Sequence, residues 1–454
     1  MFALFRRFAV PCASVVLAAT AMAAPQPADW TQWQRDIDRQ PSLALKELSA
    51  EDPALWPPTQ RLRLELMQVR ALLELGRTDE AAVRLTALQP QLGTQPPDLL
   101  AAPWHAYRAT VQIGTDRFDD ALRELDLALQ AARRAGDLDL QGYTLIERIQ
   151  VALARHDMRA ATEASEALHA LAQSSGDADT LAHQLYWAGN VQQALQDYAS
   201  AADLYRQATA KFHALDDRTG ESDSQRLLAS VLIEADRSAE ALEPAQRAIA
   251  LLETLDDSAY LALARTAYAV ALAHLGRGDE ALALSQRALD GMAGVRDSAM
   301  QLSVWLWHAE VLGLVGRAAE ALDVAQREVQ PRMGPGHPSN TQMRRYHLMR
   351  AEALSALGRA AEAREAWHQV MALDKMIASR VLAGQLAAQG AVMDMRRLQA
   401  ENELLQLRNE RAERALNDEA RKRLLGGGVT LAVLLAATGG LLWMGDRKST
   451  RLNS

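Results

Sequence analysis

Small apolar residues recur along this chain at an almost constant interval of forty positions. The clearest series is an alanine that follows an acidic residue in most units: Ala81, Ala121, Ala161, Ala201, Ala241, Ala281, Ala321 and Ala363. Successive members are 40 residues apart six times and 42 residues apart once. A fixed period of this length predicts a solenoid built from stacked units.

A second series of small residues predicts how each unit is built. An Ala or Gly stands twelve positions before six of the eight alanines, as at Ala109, Gly189 and Ala309. A larger residue often stands two positions earlier, as at Tyr107 and Trp187. Small residues allow two helices to approach to about 8 Å, and large residues fill the space beside them. Each unit is therefore predicted to be two antiparallel helices joined by a short turn.

The phrase between the two helices is almost the same in several units. Residues 75–81 read LGRTDEA, residues 275–281 read LGRGDEA and residues 357–363 read LGRAAEA. Its glycine is predicted to end the first helix in the left-handed backbone conformation. Its acidic residues are predicted to lie at the positive end of the second helix.

These features resemble the tetratricopeptide repeat (TPR), which has small residues at its close-packing positions and a large residue in its first helix. The resemblance covers residues 61–372 and implies an all-α fold, a right-handed TPR-like solenoid of about eight 40-residue hairpins. The unit exceeds the usual TPR length of about 34 residues, so longer helices are expected. It looks like the extended repeats of bacterial signalling and regulatory proteins. Residues 24–60 are expected to form N-terminal capping helices.

The composition argues against a nucleic-acid partner and against an enzyme. The 454 residues carry a formal net charge of −8, whereas phosphate binding needs clustered Lys and Arg. The sequence contains neither an HExxH pair nor a GxxxxGK[ST] loop, the motifs that most simply indicate zinc or nucleotide binding. We therefore expect no catalytic residues, no cofactor and no metal.

The first 23 residues are predicted to be a secretory signal peptide. Arg6 and Arg7 precede an apolar stretch, and residues 21–23 read AMA, a typical cleavage site. The alternative is a short uncleaved anchor. The single cysteine, Cys12, lies in this segment, so the exported chain would contain no cysteine.

After the repeats, residues 373–423 are predicted to form one long, charged helix. Two series of residues follow a heptad pattern: Ala391, Leu398, Leu405 and Ala412, with Met395, Asn402, Asn409 and Leu416. Asparagine within such a seam sets the register of a parallel pair. The pattern favours a homodimeric coiled coil through residues 391–419, and the alternative is a single solvated helix.

Residues 424–444 are predicted to be a transmembrane helix. They carry no charge, and their length matches the roughly 20 residues needed to cross a bilayer. The signal peptide then implies a single-pass protein of the bacterial inner membrane, with the repeats in the periplasm and the C-terminus in the cytoplasm. The basic residues 421–423 oppose this orientation, so a cytosolic array with a tail anchor is the alternative. Residues 445–454 are expected to be a short cytoplasmic tail, truncated or non-native.

The order of these segments resembles the periplasmic TPR sensor region of membrane-bound bacterial diguanylate cyclases, which carry a GGDEF output domain. Residues 1–454 contain no GGDEF motif, so no catalytic residue is implied for this chain. The resemblance implies that an output domain follows in the parent protein. That domain would be a diguanylate cyclase producing cyclic di-GMP or, alternatively, a histidine kinase.

The expected binding site is the concave groove lined by the first helices of the units. Polar side chains that can satisfy an extended peptide backbone are expected to point into it. They are Arg70, Tyr143, Gln150, His183, Tyr186, Asn190, Gln193, Arg226 and Glu310. The predicted function is binding of a protein or peptide partner in the periplasm, relayed through the coiled coil and the membrane helix. The alternative outside signalling is an inner-membrane assembly scaffold.

Overall fold

A computed structural model describes residues 30–452 of the chain, except 94–95, 256–257, 296–297 and 334–338. Side chains are also left undescribed at residues 31, 53, 298, 423–432 and 440–452. Within the described part the chain forms helices and no strands, so the predicted all-α class is confirmed. The predicted signal peptide, residues 1–23, lies outside the described residues.

The described helices form eight hairpins, which we number one to eight along the chain. Their first helices are α3 (Pro58–Glu74), α5 (Asp98–Ile113), α7 (Leu138–Ala154), α9 (Ala178–Ala194), α11 (Arg218–Glu234), α13 (Ser258–His274), α15 (Ser298–Leu314) and α17 (Asn340–Ala356). Their second helices are α4 (Thr78–Leu92), α6 (Phe118–Ala135), α8 (Met158–Ser175), α10 (Tyr198–Ala214), α12 (Ser238–Leu255), α14 (Gly278–Gly291), α16 (Ala318–Val324) and α18 (Ala360–Leu452). The predicted hairpin repeat is therefore present.

Three shorter pieces complete the described chain. Helices α1 (Trp30–Arg39) and α2 (Pro41–Ala50) precede the first hairpin, within the predicted capping segment 24–60. Helix α16 continues as one π-helical turn over Ala325–Val329 and a 3₁₀ turn over Gln330–Arg332. This irregular ending accompanies the two extra residues between the last two units.

The repeated small residues are the points of closest contact between helices. The alanines from Ala81 to Ala321 in the 40-residue series are fully buried, and Ala363 is 5% exposed. At Gly189 an added Cβ would lie only 2.7 Å from Cε1 of Tyr205. Larger side chains at such positions would force the two helices of a hairpin apart. The 40-residue period in the sequence therefore corresponds to a close helix–helix contact that recurs in every hairpin.

The LGR phrase has two structural roles in the turns. Gly76 and Gly276 have φ values of 68° and 75°, the left-handed conformation expected at the end of a helix. Non-glycine residues at the same repeat position, such as His156 and Gln196, adopt it as well, with φ values of 57° and 56°. Packing of the hairpin imposes this turn even where the sequence has no glycine to favour it.

The arginine of the same phrase pairs with the acidic residue three positions later. Arg277 precedes α14, and its Nε and Nη2 donate to the two carboxylate oxygens of Glu280 over 2.8 and 2.6 Å. Arg77 and Glu80 make the same pair before α4. The expected acidic residues do lie in the first turn of these helices. The glutamate carboxylates pair with the arginine side chain, and the acidic residues also interact favourably with the positive end of the helix dipole.

Helix α1 folds back onto hairpins four and five. The Oγ1 of Thr219, on α11, donates to the backbone carbonyl of Arg39 over 3.2 Å. The guanidinium of Arg39 lies 3.7 Å from the carboxylate of Asp179, on α9. The N-terminal segment thus spans across several repeats and is more than an end cap on the first.

Helix α18 also reaches back across the array. It begins as the second helix of hairpin eight, runs on without a break at the predicted boundary 372/373, and packs against α8 of hairpin three. Its Gln385 Nε2 donates to the carbonyl of Leu195 over 3.0 Å. Asp394 accepts from Arg159 over 2.6 Å. The last helix of the array is therefore tied to its middle.

This packing changes the predicted coiled coil at its first heptad. Ala391 is fully buried, within the stretch of α18 that lies on α8. From Leu398 onward the seam is exposed, with Leu405 at 52% and Leu416 at 66%. The described structure contains one chain, so the dimer stays a prediction, and the seam open to it begins after Ala391.

The predicted membrane helix 424–444 continues α18. Most of its side chains lie outside the description. Within the residues that are described, no helix has an apolar stretch long enough to cross a bilayer. The membrane crossing stays a prediction.

Replacing Gly384 with Leu is expected to separate α18 from α8. An added Cβ at this position would lie 2.8 Å from Cγ of Met158 and 3.4 Å from Cδ2 of Leu195. The matched control is Gly390→Leu, where the nearest atom lies 3.9 Å away and the gain in helix propensity, about 1 kcal/mol, is the same. Cysteines replacing Arg159 and Asp394, linked by a short bis-maleimide, report the contact. Equal crosslinking in both glycine variants would contradict the packing described here.

Candidate functional site

A cavity of about 390 Å³ lies among the first helices of the hairpins. Helices α3, α7, α9, α11 and α13 supply its walls, and α1 contributes Asp38. Because successive first helices lie side by side, residues one repeat apart face the same space. Tyr143, His183 and Asp223 are spaced in this way and all line the cavity.

Arg70 links the N-terminal helix to the cavity wall. Its Nη2 donates to Asp38 of α1 over 2.7 Å, and its Nη1 donates to Asp139 of α7 over 2.8 Å. Its side chain is only 4% exposed, and its guanidinium lies 5.1 Å from the ring centre of Tyr143. Burial raises the pKa of Asp38 to about 7, although Arg70 acts in the opposite direction. This ion-pair network holds α1 over the cavity.

Glu147 is a buried carboxyl group in the wall, and one of its oxygens has no hydrogen-bond partner within the described structure. The residue is 5% exposed, and the unpartnered oxygen is Oε2. Burial and, to a smaller extent, the nearby carboxylate of Glu74 raise the pKa of Glu147 to about 8, although hydrogen bonds with the hydroxyls of Tyr143 and Thr110 act in the opposite direction. The side chain therefore keeps its proton near neutral pH.

The part of the wall formed by α9 combines an imidazole with a tyrosine hydroxyl. His183 Nδ1 lies 3.1 Å from the carbonyl oxygen of Asp179, one turn earlier in α9. Burial works to lower the pKa of His183, but the carboxylates of Asp179 and Asp38 outweigh it and the pKa is raised. Tyr186 donates its hydroxyl to Asp223 over 2.6 Å. These contacts hold both rings at fixed positions on the cavity surface.

Aromatic rings form the apolar part of the lining. Tyr186 lies edge-on to Trp187, with ring centres 5.3 Å apart, and edge-on to Phe212 at 6.5 Å. Tyr260 lies at the far side, where the guanidinium of Arg226 is 5.2 Å from its ring centre. A site of this kind offers flat apolar faces beside charged groups, as peptide- and small-molecule-binding pockets do.

The predicted groove residues divide into two groups. Five of them line the cavity: Arg70, Tyr143, Gln150, His183 and Tyr186. The other four are not in the lining, although Arg226 contacts the lining residues Asp223 and Tyr260. Their binding role stays a prediction for both groups.

The second group is engaged within the array. Asn190 Nδ2 donates to the carbonyl of Tyr186 over 3.0 Å, one turn back in its own helix. Gln193 accepts from the hydroxyl of Tyr205 over 2.9 Å. Arg226 pairs with Asp223. Glu310 accepts from Arg345, which also pairs with Glu234, so it belongs to a separate network in later hairpins.

Sequence reasoning missed all seven carboxylates in the lining. They are Asp38, Glu74, Asp139, Glu147, Asp179, Asp217 and Asp223. A signal existed for some of them, because Asp139 and Asp179 are one repeat apart near the start of successive first helices. No signal existed for Asp38, which reaches the site only because α1 folds back.

Metal binding has no support from this arrangement. Within the part of the chain that the structure describes, no group of three His, Cys, Asp or Glu side chains is arranged to hold a metal ion. The acidic residues of the cavity lie on several helices and around its walls.

Comparison with known proteins identifies the fold and no family. No family model matches the sequence, and no curated protein matches it. Among solved structures it is similar to a Rap protein complexed with competence and sporulation factor, at 14% identity and a TM-score of 0.54, covering 77% of this chain and 97% of that one.

Two further solved structures are similar to this chain to about the same degree. Aspartyl phosphate phosphatase F from Bacillus subtilis matches at 12% identity and a TM-score of 0.53, covering 76% of this chain and 92% of that one. The apo quorum sensor NprR from B. thuringiensis matches at 15% identity and a TM-score of 0.51, covering 76% and 97%. At these identities the likeness confirms the TPR-like helical repeat fold and carries no activity over to this chain.

Replacing Glu147 with Gln is expected to remove a pH-dependent loss of stability. The folded-state pKa, about 8, lies above the ordinary value of 4.5, so the folded chain binds more protons than the unfolded chain between these values. Wild-type stability therefore falls as the pH rises through this interval. The neutral Gln side chain does not titrate, so the difference in unfolding free energy should favour the variant increasingly from about pH 5 to about pH 9. Each unit of pKa shift corresponds to about 1.4 kcal/mol.

Urea denaturation at several pH values measures this difference. Glu243→Gln, on the exposed face of α12, removes the same charge outside the cavity and serves as the control. A Glu147→Gln profile that runs parallel to the wild-type profile would show that this carboxyl is not held neutral by burial.

Proposed function

We propose that this chain is a binding and sensing protein whose cavity receives a peptide or a peptide segment of a protein partner. The observation that carries the proposal is the cavity itself, enclosed by five first helices and by α1, with polar and aromatic side chains in one lining. Its volume lies within the range of about 300–1,000 Å³ that is typical of ligand pockets.

The solved structures support this choice of function. Two proteins with a similar fold are a Rap protein complexed with competence and sporulation factor and the quorum sensor NprR. This likeness makes peptide recognition the first function to test here. The lack of catalytic motifs in the sequence favours the same conclusion over an enzyme activity of this chain.

Two sets of contacts support a proposed relay from the cavity to the C-terminal helix. Helix α1 touches α9 and α11 at one side of the cavity. Helix α18 touches α8 and the turn after α9. A ligand that shifts hairpins three to five against one another would therefore alter the contacts that hold α18 against α8 and the turn after α9. Coupling of this kind requires that the ligand bind the two arrangements with different affinity.

We further propose that α18 carries this change to a membrane and to a second chain. The apolar segment 424–444 would cross the inner membrane, and the exposed seam after Ala391 would pair two copies. Sedimentation of the full chain in detergent at the mass of a monomer would exclude the pairing. The parent protein would then act as a membrane sensor with a diguanylate cyclase or histidine kinase output, and an assembly scaffold is the alternative without output.

Peptide selection tests the binding proposal. The full chain, immobilised in detergent, is incubated with a random pool of amide-capped pentapeptides, and retained peptides are identified by mass spectrometry. Gln150→Ala with His183→Ala removes two lining side chains and should weaken binding of retained peptides at least about tenfold, the loss of one or two hydrogen bonds in a buried site. Gln207→Ala with His169→Ala removes the same residue types from exposed second helices and should change nothing. Retention that is equal in both double variants would exclude the cavity as the binding site.

Reporter fusions test the membrane proposal. Alkaline phosphatase is active only after export, so a fusion after Arg423 should be active and a fusion after Asp446 inactive. A tail-anchored array in the cytosol predicts the reverse pattern. Equal activity of both fusions would show that residues 424–444 do not cross the membrane.

A further inference from the structure

Carboxyl groups outnumber basic groups around the cavity. Seven carboxyl side chains line it, against one guanidinium and one imidazole. Arg39 and Arg226, which lie outside the lining, pair with Asp179 and Asp223. Arg70 is already shared between Asp38 and Asp139. His183 lies beside Asp179. Within the described residues no ion pair is formed by Glu147 or Glu74, and these two carboxyl groups lie on the α3 and α7 side of the cavity.

Glu147 is also short of a hydrogen-bond donor. Its Oε2 is buried and, in the described structure, unpartnered, although the residue lines the cavity. A buried carboxylate oxygen without a donor is costly, by an amount comparable to a lost charged hydrogen bond. The hydroxyls of Tyr143 and Thr110 hydrogen-bond to the carboxyl, and a further donor entering from the cavity would complete its hydrogen bonding.

The aromatic lining is suited to the same kind of group. The protein's own guanidinium groups already lie over aromatic rings here: Arg70 over Tyr143, and Arg226 over Tyr260. Tyr186 and Trp187 extend this surface within the cavity. Aromatic faces attract cations, and a carboxylate next to them adds charge and direction.

We propose that the cavity recognises a basic side chain of its peptide ligand, an Arg guanidinium or a Lys ammonium, which pairs with Glu147 between the rings of Tyr143, Tyr186 and Trp187. This inference rests on the proposed peptide-binding function and specifies its ligand class. The cation supplies the donor that Glu147 lacks. It also favours the ionised carboxylate, so the proton that burial keeps on Glu147 passes to water when the cation enters. Glu74 and the hydroxyls of Tyr143 and Thr110 are the groups that interact with this carboxyl.

Amide-capped pentapeptide pools with a fixed central residue test the ligand class. The central residue is Arg, Lys, citrulline or Glu, and citrulline keeps the shape of Arg without its charge. Binding to the full chain in detergent is followed by the intrinsic tryptophan fluorescence. The Arg pool is expected to bind at least about tenfold more tightly than the citrulline pool, because a charged hydrogen bond in a buried site is worth that much.

Variants assign the preference to one carboxylate. Glu147→Gln should reduce the ratio of Arg to citrulline affinity to near one, and Glu74→Gln should reduce it in part. Glu243→Gln, on an exposed helix face, should leave it unchanged. Far-ultraviolet circular dichroism confirms that each variant is folded. If Glu147→Gln keeps the wild-type ratio, the pairing with Glu147 is wrong.

The remaining outcomes separate this inference from the proposed function. Equal binding of the Arg, citrulline and Glu pools would overturn the charge preference and leave peptide binding intact. Binding of none of the pools would overturn both. Free arginine amide is the last probe. If it binds as tightly as the Arg pool, the cation site stands and the peptide-binding function falls.

Discussion

Close contact between helices at the small residues is the constraint on which the rest of the structure depends. Each hairpin buries an alanine from the 40-residue series, and Gly189 shows how little room the partner helix leaves. A constant contact produces a constant rotation from one hairpin to the next. The first helices therefore lie side by side and bring residues one repeat apart into a common surface. The cavity exists because this geometry is repeated.

The Arg70 network turns that open surface into an enclosed site. A solenoid groove is lined by polar side chains that water can satisfy, but α1 excludes part of that water when Asp38 pairs with Arg70. Burial then raises the pKa of Asp38 and of Glu147, because the charged forms lose their solvation. In the proposed complex, an incoming cation would meet carboxyl groups whose pKa this enclosure has raised.

Helix α18 joins this site to the C-terminal end of the chain. It belongs to the last hairpin, yet its Gln385 binds the carbonyl of Leu195 after α9 and its Asp394 binds Arg159 at the start of α8. A solenoid normally couples only neighbouring repeats. Contact between the first and middle repeats through α1, and between the last and middle repeats through α18, gives the array a way to respond as one body.

The sequence by itself determined the repeat, the helix pairs and the turns, because a local pattern of small residues, glycines and acidic residues specifies each hairpin. It also placed Tyr143 and His183 on one surface, because they are one repeat apart. Tertiary structure alone decided that Asp38 and Glu147 share an enclosed cavity and that Gly384 meets Met158. Those contacts join segments that are distant in the sequence, and they depend on the cumulative rotation from one hairpin to the next. No spacing within a single repeat specifies that rotation.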